Sequence, residues 1–338
     1  TGEVAANRED IDTTGQATNT GETSYNSHDV ALTLRQPIYS KDLFTDLSIT
    51  DTNILVAESE YKAAQQDLIT RVLTKFFEAL AARDNLEFSK AERDAIEEQL
   101  VYTKKRYKVG KSTVTDYLEA QAAFDLSDAQ VIAAQDLVKD TLDAIQEMTG
   151  IAPKQLAPLG KNFKPVTPDP LDAKHWVAEA ENKNPTLIAA KYEVQSASYE
   201  VDRFKSGHYP KFDVVARYGN EETGGRFGDS NIDDASIALQ LEFPIYSGGQ
   251  VSSRVREALS RKQQVQDEML GTHRSVIRET NKVFRNTITA MNRIKALSVA
   301  VKSTETALKS IKAGYSAGTR TNADLLRAQR ELYKARLD

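Results

Sequence analysis

Leu34-Arg35-Gln36-Pro37-Ile38-Tyr39-Ser40 recurs 207 residues later as Leu241-Glu242-Phe243-Pro244-Ile245-Tyr246-Ser247. Further on, Tyr107-x-x-Gly110-x5-Asp116-x-Leu118-x-Ala120-Gln121 recurs at an offset of 208 as Tyr315-x-x-Gly318-x5-Asp324-x-Leu326-x-Ala328-Gln329. Two distant landmarks that keep their spacing to within one residue define one structural unit used twice. The 338 residues therefore divide into a first repeat over 1–165 and a second over 166–338. The offset puts the first-copy equivalent of segment 172–207 before Thr1, and the second-copy equivalent of 121–150 beyond Asp338. A helix is thus expected ahead of this sequence and part of one after it.

Each repeat carries period-two alternation. Val30, Leu32 and Leu34 alternate with Ala31, Thr33 and Arg35. Phe212, Val214, Ala216 and Tyr218 alternate with Asp213, Val215 and Arg217, and Ile237, Leu239 and Leu241 with Ala238, Gln240 and Glu242. The pattern predicts strands over 28–38, 211–219 and 235–244, each with one apolar and one polar face. Pro37 and Pro244 are expected to end them, because proline donates no ladder hydrogen bond. The polar segments Asn7 to Ser27 and Asn220 to Asp234 read as long external loops. Alternation fits two readings: a half-buried sheet in a water-soluble domain, or a sheet facing lipid on one side and a wet lumen on the other.

After each Pro-Ile-Tyr-Ser the pattern changes. Residues 41–109 hold neither Gly nor Pro, and 250–313 hold only Gly271 and no Pro. Both read as long helices, the first spanning roughly 100 Å at ~1.5 Å per residue. Met269, Val276, Val283, Ala290, Leu297 and Ile311 fall at multiples of seven, beside the row Ile294, Val301 and Leu308. That period indicates left-handed coiled-coil packing. Two adjacent apolar rows fit a wall of helices, and an antiparallel pair fits as well. Val109-Gly110-Lys111-Ser112-Thr113 and Ala317-Gly318-Thr319-Arg320-Thr321 read as tight tips, with Gly ending one helix and Ser or Thr capping the next. Return helices follow over 114–149 and 321–338, the latter truncated. The five prolines of 151–170 mark an irregular connector, and 172–207 reads as a further helix.

Composition narrows the function. A net charge of -5 argues against nucleic acid as a partner. No apolar run reaches the roughly 18 residues of a membrane helix, which leaves a β-barrel open. The four histidines (28, 175, 208 and 273) are scattered and cysteine is absent, so no metal-ligand set, catalytic constellation or cofactor site is read, and the chain is not expected to be an enzyme. Gly248-Gly249 lacks the Lys-Ser/Thr of a phosphate loop.

About four strands per chain cannot close a barrel, since single-chain outer-membrane barrels begin at about eight. An open sheet in lipid would leave unsatisfied backbone groups, so several chains would have to share one barrel. The sequence resembles the TolC family of outer-membrane factors over essentially its whole length. The resemblance rests on Leu241-x-Phe243-Pro244-Ile245-Tyr246-x-Gly248-Gly249, His273-Arg274-Ser275-Val276, the Val109-Gly110…Thr115-Asp116 turn, and Tyr315-Ser316-x-Gly318-Thr319-Arg320-Thr321-x-x-Asp324-x-Leu326.

What the resemblance implies is a mainly α chain with a small β part: a long α-helical barrel of coiled-coil hairpins plus a membrane β-barrel completed by trimerisation. It implies a homotrimer in the outer-membrane lipid of a Gram-negative bacterium, its helices in the periplasm. Drugs or secreted proteins would be exported with a periplasmic membrane-fusion adaptor and an inner-membrane transporter. By the same resemblance Tyr315 and Arg320 would latch onto Thr115 and Asp116 of neighbouring hairpins. Asp324 would contribute to an acidic constriction ring, whose second position is Arg327 here instead of an acid. Val109, Gly110, Ala317 and Gly318 at the tips would contact the adaptor. The competing reading is a structural coiled-coil scaffold with a small sheet and no channel.

Overall fold

The computed structural model describes residues 3–15, 23–153, 156–159, 166–223 and 230–337. Four strands, β1 (Glu3–Gly15), β2 (Thr23–Tyr39), β3 (Lys211–Thr223) and β4 (Ser230–Glu242), form one antiparallel sheet in the order β1-β2-β3-β4. The helices are α1 (Lys41–Lys108), α2 (Val114–Thr149), α3 (Ala173–Lys183), α4 (Pro185–Lys205), α5 (Gln250–Ser316) and α6 (Asn322–Leu337). The chain is mainly helical with a small sheet.

Several boundaries differ from the sequence reading. Asn7 to Gly15 and Thr23 to Ser27 belong to β1 and β2, pairing from Glu3↔Arg35 to Gly15↔Thr23, so most of that expected loop is strand. Likewise β3 runs to Thr223 and β4 begins at Ser230, which leaves 224–229 outside the described residues. Backbone pairing satisfies these polar stretches, and they need no buried face to stay extended. Pro37 does not end β2: the strand absorbs it at a register shift between Pro37 and Tyr39, as a bulge allows. The expected helix over 172–207 is two helices. Pro185 cannot donate an interior helical bond, and Asn184 caps α4 by accepting from the Leu187 N–H at 3.1 Å. Finally, α5 continues through Gly314 to Ser316, past the expected end at 313.

Contacts divide the chain into one unit of 1–60 with 183–275 and another of 61–182 with 276–338. In the first, the sheet is apolar on one face, where Leu34, Ala216 and Ile237 are aligned, as are Leu32, Tyr218 and Ala235. This face is uncovered, with Ile237 81% and Leu239 69% exposed. The opposite face carries charge. Arg35 binds Asp213 at 2.9 Å, with Asp213 buried, and Arg217 lies 3.7 Å from both Asp29 and Asp234. In the second unit, Ile96 of α1, Ala123 of α2 and Leu326 of α6 pack together beside Phe124. Among the described residues no helix is long and apolar enough to cross a membrane.

Candidate functional site at the hairpin tips

Both tips use one local device. Gly110 and Gly318 adopt left-handed backbone at φ 71 and 78°. Around them the Lys111 N–H donates to Arg106 C=O at 2.8 Å and the Gly110 N–H to Tyr107 C=O at 3.0 Å. In the second tip Thr319 donates to Gly314 at 2.8 Å and Gly318 to Tyr315 at 3.1 Å. This double bond pattern closes the end of each long helix, and only glycine takes the required backbone without strain.

The next helix then starts on a reciprocal cap. The Thr113 hydroxyl accepts from the Asp116 N–H at 3.1 Å while the Asp116 carboxylate accepts from the Thr113 N–H at 3.0 Å. Thr321 and Asp324 repeat the arrangement at 3.1 Å in both directions. Partial burial pushes the Asp116 carboxyl up, but hydrogen bonds from Thr113 and Ser112, with Arg106 nearby, outweigh it and hold the group below the usual carboxylate range. Asp324 is held low mainly by the Thr321 N–H and hydroxyl, with Arg320 and Arg327 adding charge.

The two hairpins are tied by a polar cluster. Gln99 Nε2 donates to Asn322 Oδ1 at 2.7 Å, to Thr103 Oγ1 at 3.2 Å and to the Tyr315 hydroxyl at 3.3 Å. Asn322 Nδ2 in turn donates to the Asp116 carbonyl at 3.3 Å. Gln99, Thr103 and Asn322 are buried. The Tyr315 ring meets Tyr102 edge-on at 6.2 Å, and the Arg106 guanidinium lies 5.7 Å from the Tyr102 centroid and 5.9 Å from that of Tyr315. Tyr107 stacks on Tyr117 at 5.9 Å. A buried carboxylate, Glu92, lies further up α1 and feels the charge of Arg330; burial raises it above the ordinary glutamate range.

Within one chain, Tyr315 is therefore brought to Gln99, and Asp116 is engaged by its own turn. Thr115 is exposed on α2, and neither it nor Arg320 has a bonding partner among the described residues. Arg320 folds its stem across Gly314, where a Cβ would come within 2.8 Å of Arg320 Cγ. Arg327, Val109, Gly110, Ala317 and Gly318 are exposed and Asp324 is half-buried. Gln99, Thr103, Asn322, Tyr102 and Arg106 escaped the sequence reading. The i,i+4 spacing of Gln99 with Thr103, and of Tyr102 with Arg106, was the available signal. Among the described residues no group of three or more His, Asp and Glu converges as a metal site would require.

Long paired hairpins and a four-stranded sheet with open edges are the elements of an outer-membrane channel subunit. The family model described as outer membrane efflux protein matches residues 1–151 and 176–338, and the chain belongs to that family. It is accordingly an outer-membrane protein, of a family of efflux proteins rather than enzymes. It is similar to the outer membrane protein TolC of Escherichia coli (strain K12), with 30% identity over 323 residues, 92% of this chain and 65% of the relative. It is also similar to the alkaline protease secretion protein AprF of Pseudomonas aeruginosa, with 28% identity over 315 residues, 92% of this chain and 65% of the relative. The chain thus spans 65% of the length of each of these relatives. In fold it matches the Campylobacter jejuni CmeC outer membrane channel at a TM-score of 0.81, with 15% identity over 100% of this chain and 73% of that one.

Proposed function

We propose that the chain is one protomer of a homotrimeric channel-tunnel in the outer membrane of a Gram-negative bacterium. It exports drugs, secreted proteins or both, together with a periplasmic adaptor and an inner-membrane pump. The observation that carries this is the sheet: its apolar face is bare, its charged face holds the ion pairs, and β1 and β4 lie at its two ends. A water-soluble sheet hides its apolar face; a lipid-facing one hides its charges. Two open edges in lipid demand partners, and identical copies supply them by pairing β4 of one with β1 of the next.

The tips form the gate. Arg320 and Tyr315 meet Thr115 and Asp116 of adjacent hairpins; each contact is weak alone, near 0–1 kcal/mol for an exposed pair, and is repeated around the ring. Asp324 and Arg327 line the constriction, where an acid beside a base leaves little net charge to attract cations. Val109, Gly110, Ala317 and Gly318 offer the adaptor its contact. Planar-bilayer recording on the full-length protein tests the function. Discrete conductance steps from a trimeric, detergent-dependent species are expected; a monomer soluble without detergent and electrically silent would favour the scaffold reading.

A further inference from the structure

α2 carries eight carboxylates and one lysine, whereas 276–316 of α5 carries eight Lys and Arg and two Glu. Both glutamates are engaged within the chain, Glu279 by Lys282 at 3.1 Å and Glu305 by Arg336 at 2.7 Å. The lower half of α1, residues 61–108, has ten bases and eight acids and offers no comparable field.

The free faces of these helices are identifiable. α2 buries Ala120, Ala123, Ser127, Val131, Ala134 and Thr141. Asp136 and Asp143 each lie two residues beyond a member of that stripe, ~200° round the helix. They share the outward side with Leu118 and Ile132, which are 57% and 63% exposed. On α5, only Ala258 of 67 residues is buried. Arg293 stands twelve residues from Glu305, which faces α6, and so ~120° round the helix from it. Arg293, Asp136 and Asp143 are exposed and have no hydrogen bond or ion pair among the described residues.

Height along the hairpins also matches. Leu326 of α6 packs with Ala123 of α2, and Arg336 of α6 reaches Glu305 of α5. Counting from these contacts at ~1.5 Å per residue puts Arg293 level with about residue 145 of α2, roughly 3 Å beyond Asp143. In a closed ring related by rotation about the helix direction, that level carries over to the neighbouring copy. Direction agrees too, because α5 runs as α1 does and opposite to α2, so it can dock antiparallel on α2.

We propose that the free face of α5 docks on the α2 face of a second copy, with Arg293 seated at Asp143, the near end of the Asp136–Asp143 row, as an electrostatic key that sets the register between copies. The inference rests on the trimeric reading above. Leu118 and Ile132 supply the apolar part of the seam and the charges supply its alignment, since like-charged faces would repel at the same positions.

The cysteine-free chain makes the test direct. Asp143→Cys or Asp136→Cys is combined with Arg293→Cys in the full chain, and a short thiol-bridging reagent is applied to membranes. Covalent dimers and trimers are expected on denaturing gels from at least one of these pairs and not from Asp125→Cys with Arg293→Cys. Trimers that bridge at neither position, or only through Asp125→Cys, would overturn the key while leaving the trimer intact. A parent chain that forms no trimer would sink both. As a second measure, Arg293→Asp should shift the balance from trimer toward monomer about two- to fivefold, and adding Asp136→Arg and Asp143→Arg should restore it; no shift in the single variant counts against the proposal.

Discussion

Gln99 Nε2 donates to Asn322 Oδ1 at 2.7 Å, so a residue well inside the long helix of one repeat holds the first turn of the return helix in the other. Gln99→Ala strands a buried amide and should cost about 1–3 kcal/mol of local stability. Amide exchange across 322–326 should quicken by tenfold or more. Exchange indistinguishable from the parent would mean that Gln99 does not hold that turn.

Arg320 has no bonding partner within the described chain, so Arg320→Ala should leave folding nearly unchanged, within about 0.5 kcal/mol. If it belongs to the latch between hairpins, single-channel conductance rises. Asp116→Ala should raise conductance as well, and should additionally lose about 1 kcal/mol through its helix cap. Equal conductance in both variants and the parent rejects the latch.

Arg327 is exposed one helical turn beyond Asp324. Arg327→Glu should strengthen cation selectivity at the constriction, and Asp324→Ala should weaken it, both read as reversal potentials in a salt gradient. Reversal potentials that do not move in either variant remove both residues from the ion path.

Asp116 and Asp324 have depressed carboxyl pKa values in the folded tips. The sign follows from linkage: their contribution is complete above the ordinary aspartate value of about 3.9 and is lost as pH falls through the folded value. The tips should therefore fray in acid before the sheet does, and Asp116→Asn should flatten that dependence. Glu92 behaves in the opposite sense. Burial raises it, so folding is favoured below about 4.3 and the advantage disappears as pH climbs through the raised value. Glu92→Gln should make thermal stability near neutrality slightly higher and less sensitive to pH. A parent-like melting profile would show that its burial carries no penalty.

The long helices were legible because nothing in 41–109 interrupts them, and the tips because Gly110 and Gly318 sit at one phase of the repeat. The outer parts of the strands were not legible. Across Asn7–Gly15 the side chains carry almost no apolar alternation, and pairing with Thr23–Ala31 is a backbone matter that periodicity does not record. The break at Asn184-Pro185 was missed by reading 172–207 as one helix, although an Asn cap followed by Pro was its local signal. The tip cluster was hidden for another reason. Gln99 and Thr103 resemble any solvated polar residues on a helix, and only the distant Asn322 and Tyr315 reveal what they bind. Their partners are more than 200 residues away, beyond the reach of any local pattern.

Each tip is closed by bonds that reach no more than five residues along the chain. A turn fastened so locally has nothing to unwind when its surroundings move. Displacing one hairpin from another therefore sacrifices only the few long-range ties, while the rods themselves stay rigid. In the proposed gate the stiffness would then lie in the leaves and the energetic threshold in the catch, as in a hinge-mounted shutter.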